Sequence, residues 1–231
     1  MSFLLPDVDV LPMHCVTSQE DQAQAQGEVA LFFGLSGART MLSLAPERAL
    51  LGDHAHGWSQ SGVFNIEGGF YSECQGLNFE QDSLIYQAAN RGGALLENVV
   101  MQEGEPDFAD TSMTTNMRVA FPRYFLANRV YENQVEHPSA VLFFCCDLYG
   151  VLPILSQLTL EQALYYYFSG YTAEFYTVGE GSQDRVRPLF NRCFSPSCSP
   201  RRVADYLNLL RQRLEETHCP VYLLNTGWQG G

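Results

Sequence analysis

Positive charge is scarce in this sequence. Lysine and arginine together contribute 13 residues against 26 aspartates and glutamates, which gives a formal net charge of −13. A chain this acidic repels a phosphate backbone, so nucleic acid is excluded as a partner. Acidity does not exclude a nucleotide or another small-molecule ligand, because a bound metal ion inverts the sign of the charge at a local site.

The sequence also lacks the features of membrane and secreted proteins. No uninterrupted apolar run reaches the roughly 18 residues of a membrane helix. The apolar stretch at residues 1–10 has no basic flank of the kind that signal peptides carry. The seven cysteines form an odd set without a C-x-x-C pair, which indicates reduced thiols. We therefore expect a cytoplasmic protein with no membrane partner.

Apolar residues are plentiful and fall into short runs. Hydrophobic residues make up 46% of the chain and aromatics 13%, which is enough for the packed core of one large domain. Strands are predicted at residues 28–33, 48–52, 63–66, 69–71, 94–101, 117–121, 140–146 and 221–224. The run 140–146 is typical of a sheet covered on both faces, and 63–71 of a bent ribbon.

Helical patterns are fewer. Helices are predicted at residues 82–90, at 159–169 with Thr159 as N-cap, and at 200–217 with its arginines opposite the apolar stripe. The polar segment 17–27 is typical of a hairpin loop or a flexible excursion. Because strands outnumber helices, the sequence predicts a mixed sheet in an α/β or α+β domain.

The loop after the first strong strand resembles a phosphate-binding loop. Residues 34–40 read G-L-S-G-A-R-T, whereas the phosphate-binding pattern is G-x-x-x-x-G-K-[ST]. Arg39 stands where the lysine belongs, the spacing from Gly34 is one residue short, and Thr40 keeps the hydroxyl that binds Mg²⁺. The alternative interpretation is an ordinary glycine-containing turn between a strand and a helix.

An acid and two histidines follow the next predicted strand. Asp53 stands at the end of that strand, the position at which phosphate-loop proteins place the acid that holds Mg²⁺. His54 and His56 lie two residues apart, so an extended segment would place them on one face. With Asp53 or the more distant His14 they could form a metal site. The alternative for each histidine is a surface ring or a ring satisfied in the core.

These motifs together resemble the ATP-dependent phosphoenolpyruvate carboxykinase family. The resemblance rests on L-P-M-H-C at 11–15, F-F-G-L-S-G at 32–37, L-L-G-D-H-A-H-G-W at 50–58, L-L-E-N-V at 95–99, N-M-R at 116–118 and N-T-G-W at 225–228. The motifs cover nearly the whole chain in the family's order. The resemblance implies a P-loop-containing, carboxykinase-like nucleotide-binding domain of α/β (mixed α+β) class with a mixed sheet. It also implies ATP with Mg²⁺ or Mn²⁺.

The resemblance implies roles for individual residues. Arg118 matches the arginine that bridges substrate and transferred phosphoryl group, and Glu97 matches an acid near the nucleotide. The phosphate loop comprises Gly34, Ser36, Gly37, Arg39 and Thr40. The metal-binding positions are His14, Thr40, Asp53 and His54.

Departures from the family pattern concern the same site. His54 replaces the second aspartate of a metal-binding pair, Ala55 replaces a glutamate, and Thr115 replaces the glutamate of the family's E-N-T-R. A histidine in place of an aspartate shifts metal preference toward Mn²⁺ or Zn²⁺. These changes predict weak or lost carboxykinase activity, with a non-catalytic metal- or partner-binding pseudoenzyme as the alternative.

The extent of the resemblance implies a single domain, residues 1–231. It corresponds to the family's nucleotide-binding domain without its N-terminal domain and C-terminal region. Apolar surface that those parts would cover leads us to expect a homo-oligomer or a partner chain over the exposed sheet. The aromatic run 165–168 could contribute contacts there, with helix core as the alternative.

Overall fold

The computed structural model describes residues 1–20, 27–34, 48–147, 149–176, 185–195 and 200–227. The first ten strands described are β1 Leu11–His14, β2 Val16–Glu20, β3 Val29–Phe33, β4 Arg48–Gly52, β5 Ala55–Ser59, β6 Gly62–Asn65, β7 Gly69–Glu73, β8 Leu95–Glu97, β9 Val100–Gln102 and β10 Glu105–Asp107. The other strands described are β11 Arg118–Pro122, β12 Gln134–Val135, β13 Ala140–Cys145, β14 Leu155–Leu158, β15 Tyr171–Tyr176, β16 Arg185–Phe190 and β17 Val221–Asn225. The α-helices described are α1 Phe79–Ala89, α2 Leu160–Ser169 and α3 Val203–Thr217.

The centre of the fold is a six-stranded mixed sheet in the order β14-β17-β13-β3-β2-β4. Strand β13 runs parallel to both of its neighbours, β17 and β3. Side chains alternate along it between two separate apolar clusters: Val141 and Phe143 join one, and Phe144 joins the other. The predicted sheet with both faces covered is therefore confirmed.

Strand direction brings several strand ends to one edge of this sheet. Because β2 is antiparallel to both β3 and β4, β4 runs the same way as β3, β13 and β17. Gly34, Asp53 and Asp147 follow the ends of β3, β4 and β13, so all three residues lie at the carboxyl edge. Ligands of open α/β sheets commonly bind at this edge.

Smaller sheets flank the central one. A four-stranded sheet has the order β1-β5-β6-β12, and a three-stranded sheet has the order β7-β11-β8. The prediction of one bent ribbon through residues 63–71 is wrong. Strands β6 and β7 form as predicted, but they belong to different sheets. The predicted strand 94–101 divides into β8 and β9, because Asn98 adopts a positive φ of 60°.

Helix α2 forms as its sequence predicts. Thr159 accepts a hydrogen bond from the backbone N–H of Gln162, and the Gln162 side chain accepts from the N–H of Thr159, which completes a capping box. The helix ends at Gly170, whose φ is 51°, where a Cβ would lie 1.8 Å from the Asn191 carbonyl oxygen. In the aromatic run, Tyr167 is buried, which confirms the core interpretation for that residue, whereas Tyr165 and Phe168 are exposed; contact of the run with a partner stays a prediction.

Helix α3 departs from its prediction at one position. Leu210 and Leu214 are buried as expected, but Arg213, predicted on the polar side, is completely buried. The N-terminal segment covers it: Arg213 donates to the Asp9 carboxylate and carbonyl and to the Glu216 carboxylate. These partners lie far away in sequence or at the helix end, so helical periodicity alone could not reveal them.

Residues 17–20 of the polar segment 17–27 form the end of β2, which pairs antiparallel with β3. Residues 21–26 lie outside the described residues, so the loop interpretation stays a prediction for them. Among the helices of the described ranges, none combines the length and apolarity needed to cross a membrane.

Candidate functional site

Two histidines meet at a cavity beside the central sheet. His14 is the last residue of β1, and its register partner is Ala55 at the start of β5. That pairing places His54 next to it, with the two ring centroids 4.9 Å apart and the rings inclined at 75°. Both side chains line a cavity of about 360 Å³. The other lining residues are Ser2, Pro12, Met13, Ala55, Glu67, Tyr167, Cys193, Ser195 and Tyr206.

Asp53 lies behind His54. Its side chain is 1% exposed, and its Oδ1 lies 3.0 Å from Nδ1 of His54. In the described part of the chain, no three His, Cys, Asp or Glu side chains are grouped closely enough to hold a metal ion. The geometry is therefore a pair of neighbouring imidazoles with a carboxylate against one of them.

The separation of the two rings fits a shared ligand. Two imidazoles bound to one tetrahedral zinc ion at about 2.0–2.1 Å have ring centroids about 5.2 Å apart, since each centroid lies about 3.2 Å from the metal. The observed 4.9 Å between His14 and His54 is close to this value. Nitrogen donors suit Zn²⁺ and Mn²⁺ better than Mg²⁺, which prefers oxygen.

His56 does not share a face with His54. Residues 53 and 54 form a bend before β5, so the alternation expected of an extended segment does not apply. His56 is completely buried, with Nδ1 3.1 Å from the His54 carbonyl oxygen and Nε2 3.4 Å from Nδ2 of Asn65. Burial lowers the pKa of His56 to about 4. It is a neutral core residue at neutral pH.

Arg118 and Glu97 lie opposite each other on the three-stranded sheet. Arg118 begins β11 and is paired in register with Glu97 of β8 and with Glu73 of β7. Its Nε donates to Oδ1 of Asn116 at 3.0 Å, and its Nη2 lies 3.5 Å from Oε1 of Glu73. Glu73 carries no local sequence signal, because its place beside Arg118 is set by cross-strand register.

Tyr71 connects this sheet with the histidine pair. It lies two residues before Glu73 on β7, so both side chains point to the same face. Its ring centroid is 6.4 Å from that of His54. The face that carries Arg118 therefore borders the cavity of His14 and His54.

The predicted phosphate loop is described only at its start. Gly34 follows β3 and is buried. Ser36, Gly37, Arg39 and Thr40 lie outside the described residues, so the structure places none of them.

Asp147 is a second acid at the carboxyl edge that sequence reasoning missed. It is buried, and its carboxylate accepts backbone N–H bonds from Tyr149, Val151 and Leu152. These hydrogen bonds lower its pKa. Because they are all local, Asp147 fixes the loop after β13.

These features define an α/β protein whose candidate ligand site opens at the carboxyl edge of a mixed sheet and contains a histidine pair, an arginine and acids. A family model described as phosphoenolpyruvate carboxykinase matches residues 1–231. The chain belongs to the ATP-dependent phosphoenolpyruvate carboxykinase family.

Individual relatives agree with this assignment. The chain is 43% identical over its whole length to the phosphoenolpyruvate carboxykinase (ATP) of Shouchella clausii, of which it covers 43%. It is 42% identical to that of Geobacillus thermodenitrificans, covering 43%, and 44% identical to that of Deinococcus radiodurans, covering 49%. The chain thus spans less than half the length of these curated relatives.

Proposed function

We propose that the chain forms the nucleotide- and metal-binding part of a carboxykinase-type site, and that its turnover of oxaloacetate is weak or lost. The observation that carries the proposal is the pair of rings of His14 and His54, 4.9 Å apart at one cavity. Their separation suits one divalent ion, and Asp53 adds negative charge beside His54. A Zn²⁺ or Mn²⁺ ion bound there would polarise a ligand oxygen.

The P-loop fold of the family is part of this proposal. Gly34 follows β3 at the carboxyl edge, where a phosphate loop belongs. Ser36 and Gly37 would supply backbone N–H groups, Thr40 would supply a metal-binding hydroxyl, and Arg39 would neutralise phosphate. None of the 231 residues is lysine, so an arginine must serve any basic role in the loop.

The family reaction is the conversion of oxaloacetate and ATP to phosphoenolpyruvate, CO₂ and ADP, a step of gluconeogenesis. Phosphoryl transfer depends on positioning and on neutralising charge in the transition state. Loss of one stabilising group in such a site costs about 2.7–4 kcal/mol, or about 10²–10³ in rate. Arg39, His54 and Thr115 each alter a group that the family uses, so their effects on turnover should compound.

A non-catalytic metal- or partner-binding module is the alternative. The contact between Glu73 and Arg118 favours it, because a carboxylate already engages the guanidinium that the family uses for the phosphoryl group. A surface for a partner chain or a second copy of this chain would lie at β14, an edge strand of the central sheet. Tyr149, Val151, Ile154 and Leu155 are all exposed there, and sedimentation velocity would test for self-association.

Turnover and nucleotide affinity test the first proposal. A coupled assay with Mg²⁺, Mn²⁺ or Zn²⁺ should give phosphoenolpyruvate formation at most 10⁻² to 10⁻³ of the rate of a full-length relative assayed in parallel, about the loss of one group. Calorimetry should give a dissociation constant for ATP of about 1 mM or weaker, which corresponds to at most about 4.1 kcal/mol. A rate equal to that of the relative, or micromolar ATP affinity, would refute the proposal.

Metal affinity tests the histidine pair directly. The variant His14→Ala should weaken Zn²⁺ binding at least tenfold, because one of two nitrogen donors is removed. His218→Asn is the matched control: His218 is exposed at the end of α3 with φ 53°, a conformation that asparagine tolerates. Equal Zn²⁺ affinities for His14→Ala and the wild type would show that the pair is not a metal site.

A further inference from the structure

One row of side chains crosses the three-stranded sheet at Arg118. Register places Glu73 on one side of it and Glu97 on the other. Directly opposed residues of neighbouring antiparallel strands have Cβ atoms about 4.5–5.5 Å apart and share one face. The row therefore carries two negative charges and one positive charge, although its centre is the arginine that the family uses for the phosphoryl group.

The guanidinium of Arg118 is already engaged along its binding edge. An arginine binds phosphate bidentately through two N–H groups on one edge of the planar fork. Asn116 accepts from Nε at 3.0 Å, and Glu73 lies 3.5 Å from Nη2. Nη2 belongs both to the edge shared with Nε and to the edge shared with Nη1. Nη2 has two N–H groups, one on each edge, so a phosphate on the edge that Glu73 faces must displace its carboxylate, and a phosphate on the other edge binds within range of its repulsion.

We infer that Glu73 is a specificity-determining residue, whose carboxylate occupies the phosphate-binding edge of Arg118 and lowers the affinity of the site for polyphosphates. This inference rests on the proposed carboxykinase-type site, with Arg118 in the role that the family gives it toward the phosphoryl group. The effect has two parts, competition for Nη2 and direct repulsion between the carboxylate and an incoming phosphate. A ligand with little negative charge is subject to neither the competition nor the repulsion.

The ion pair is weak enough for a ligand to displace. Arg118 is 39% exposed and Glu73 is 54% exposed, so water and salt screen their attraction. Removing the Glu73 charge should tighten binding of a polyphosphate about three- to tenfold at low salt. The gain should shrink at high salt, where the Debye length falls to about 3 Å at 1 M.

The test measures binding of inorganic pyrophosphate to the full chain, by NMR titration in a low-salt buffer. The variants are Glu73→Gln, which removes the charge, and Glu73→Asp, which keeps it. Glu161→Gln is the matched control, because Glu161 forms an exposed ion pair with Arg211, an arginine that is also 39% exposed. Arg118→Ala is measured alone and in combination with Glu73→Gln, to show whether Arg118 holds the pyrophosphate.

The expected result is a three- to tenfold gain for Glu73→Gln that the double variant abolishes, with Glu73→Asp and Glu161→Gln at the wild-type affinity. Equal affinity of Glu73→Gln and the wild type, with binding lost in Arg118→Ala, would overturn the inference and leave the proposed function intact. A pyrophosphate affinity unchanged by Arg118→Ala would overturn the inference and, with it, the phosphate-binding role of Arg118. An equal gain in Glu161→Gln would mean that net charge, not Glu73, sets the affinity.

Discussion

Replacing Arg213 by alanine should destabilise the fold by about 3 kcal/mol. The Arg213 side chain is completely buried, with Nη2 2.6 Å from the Asp9 carboxylate, Nη1 2.6 Å from that of Glu216 and Nε 3.5 Å from the Trp58 carbonyl oxygen. Removing one partner of a buried ion pair costs about 3–5 kcal/mol. The low end applies here, because the Asp9 and Glu216 side chains are 36% and 46% exposed and can regain water.

Urea unfolding followed by circular dichroism measures this loss. Arg211→Ala is the control, because Arg211 sits two residues away on α3 in an exposed pair with Glu161 and should cost at most about 1 kcal/mol. Hydrogen exchange should also accelerate in β1 of Arg213→Ala, since Asp9 precedes that strand. If Arg213→Ala and Arg211→Ala had equal unfolding free energies, the ion pair between α3 and Asp9 would contribute nothing to stability.

Three further predictions concern other parts of the molecule. Thr159→Ala removes half of a capping box and should lower the free energy of unfolding by about 1 kcal/mol, whereas an unchanged unfolding midpoint would contradict this. His56 has its pKa lowered to about 4 from 6.5 in the folded chain, so the unfolded chain binds more protons between these values. Stability should therefore fall by up to about 3 kcal/mol as pH drops from about 6.5 to 4 in metal-free buffer. His56→Gln should lose that slope, and a slope equal to that of the wild type would refute the assignment. Zn²⁺ affinity should fall on acidification, because protons compete for the ring nitrogens, and a pH-independent affinity would exclude histidine ligands.

The parts of the fold that sequence predicted are those with strong local signals. Strand β13 is a continuous apolar run, and two clusters cover its faces. Helix α2 carries its own start signal in Thr159 and its own stop signal in Gly170. The short strands β1 and β5 contain Pro12 and His56 among few apolar residues, and only their pairing with each other shows them to be strands.

The candidate site likewise contains residues with a local sequence signal and residues without one. The spacing of Asp53 and His54 after a strand pointed to the carboxyl edge, whereas His14 was one alternative ligand until the family resemblance placed it among the metal-binding positions. Glu73 could not be found, because nothing in residues 69–73 shows which strand will lie beside them. Register supplies that information, and register is set by packing of the whole sheet.

The contacts between the first ten residues and α3 determine when the histidine cavity can form. The hydroxyl of Tyr206 donates to the Ser2 carbonyl oxygen, and Arg213 to Asp9, each across 204 positions of sequence. A ribosome makes His14 and His54 long before it makes either partner. Until α3 has been translated, the nascent chain therefore exposes both rings without the wall that this helix contributes. Closing a loop of this size requires α3, so the rings stay open to metal or to a chaperone until then.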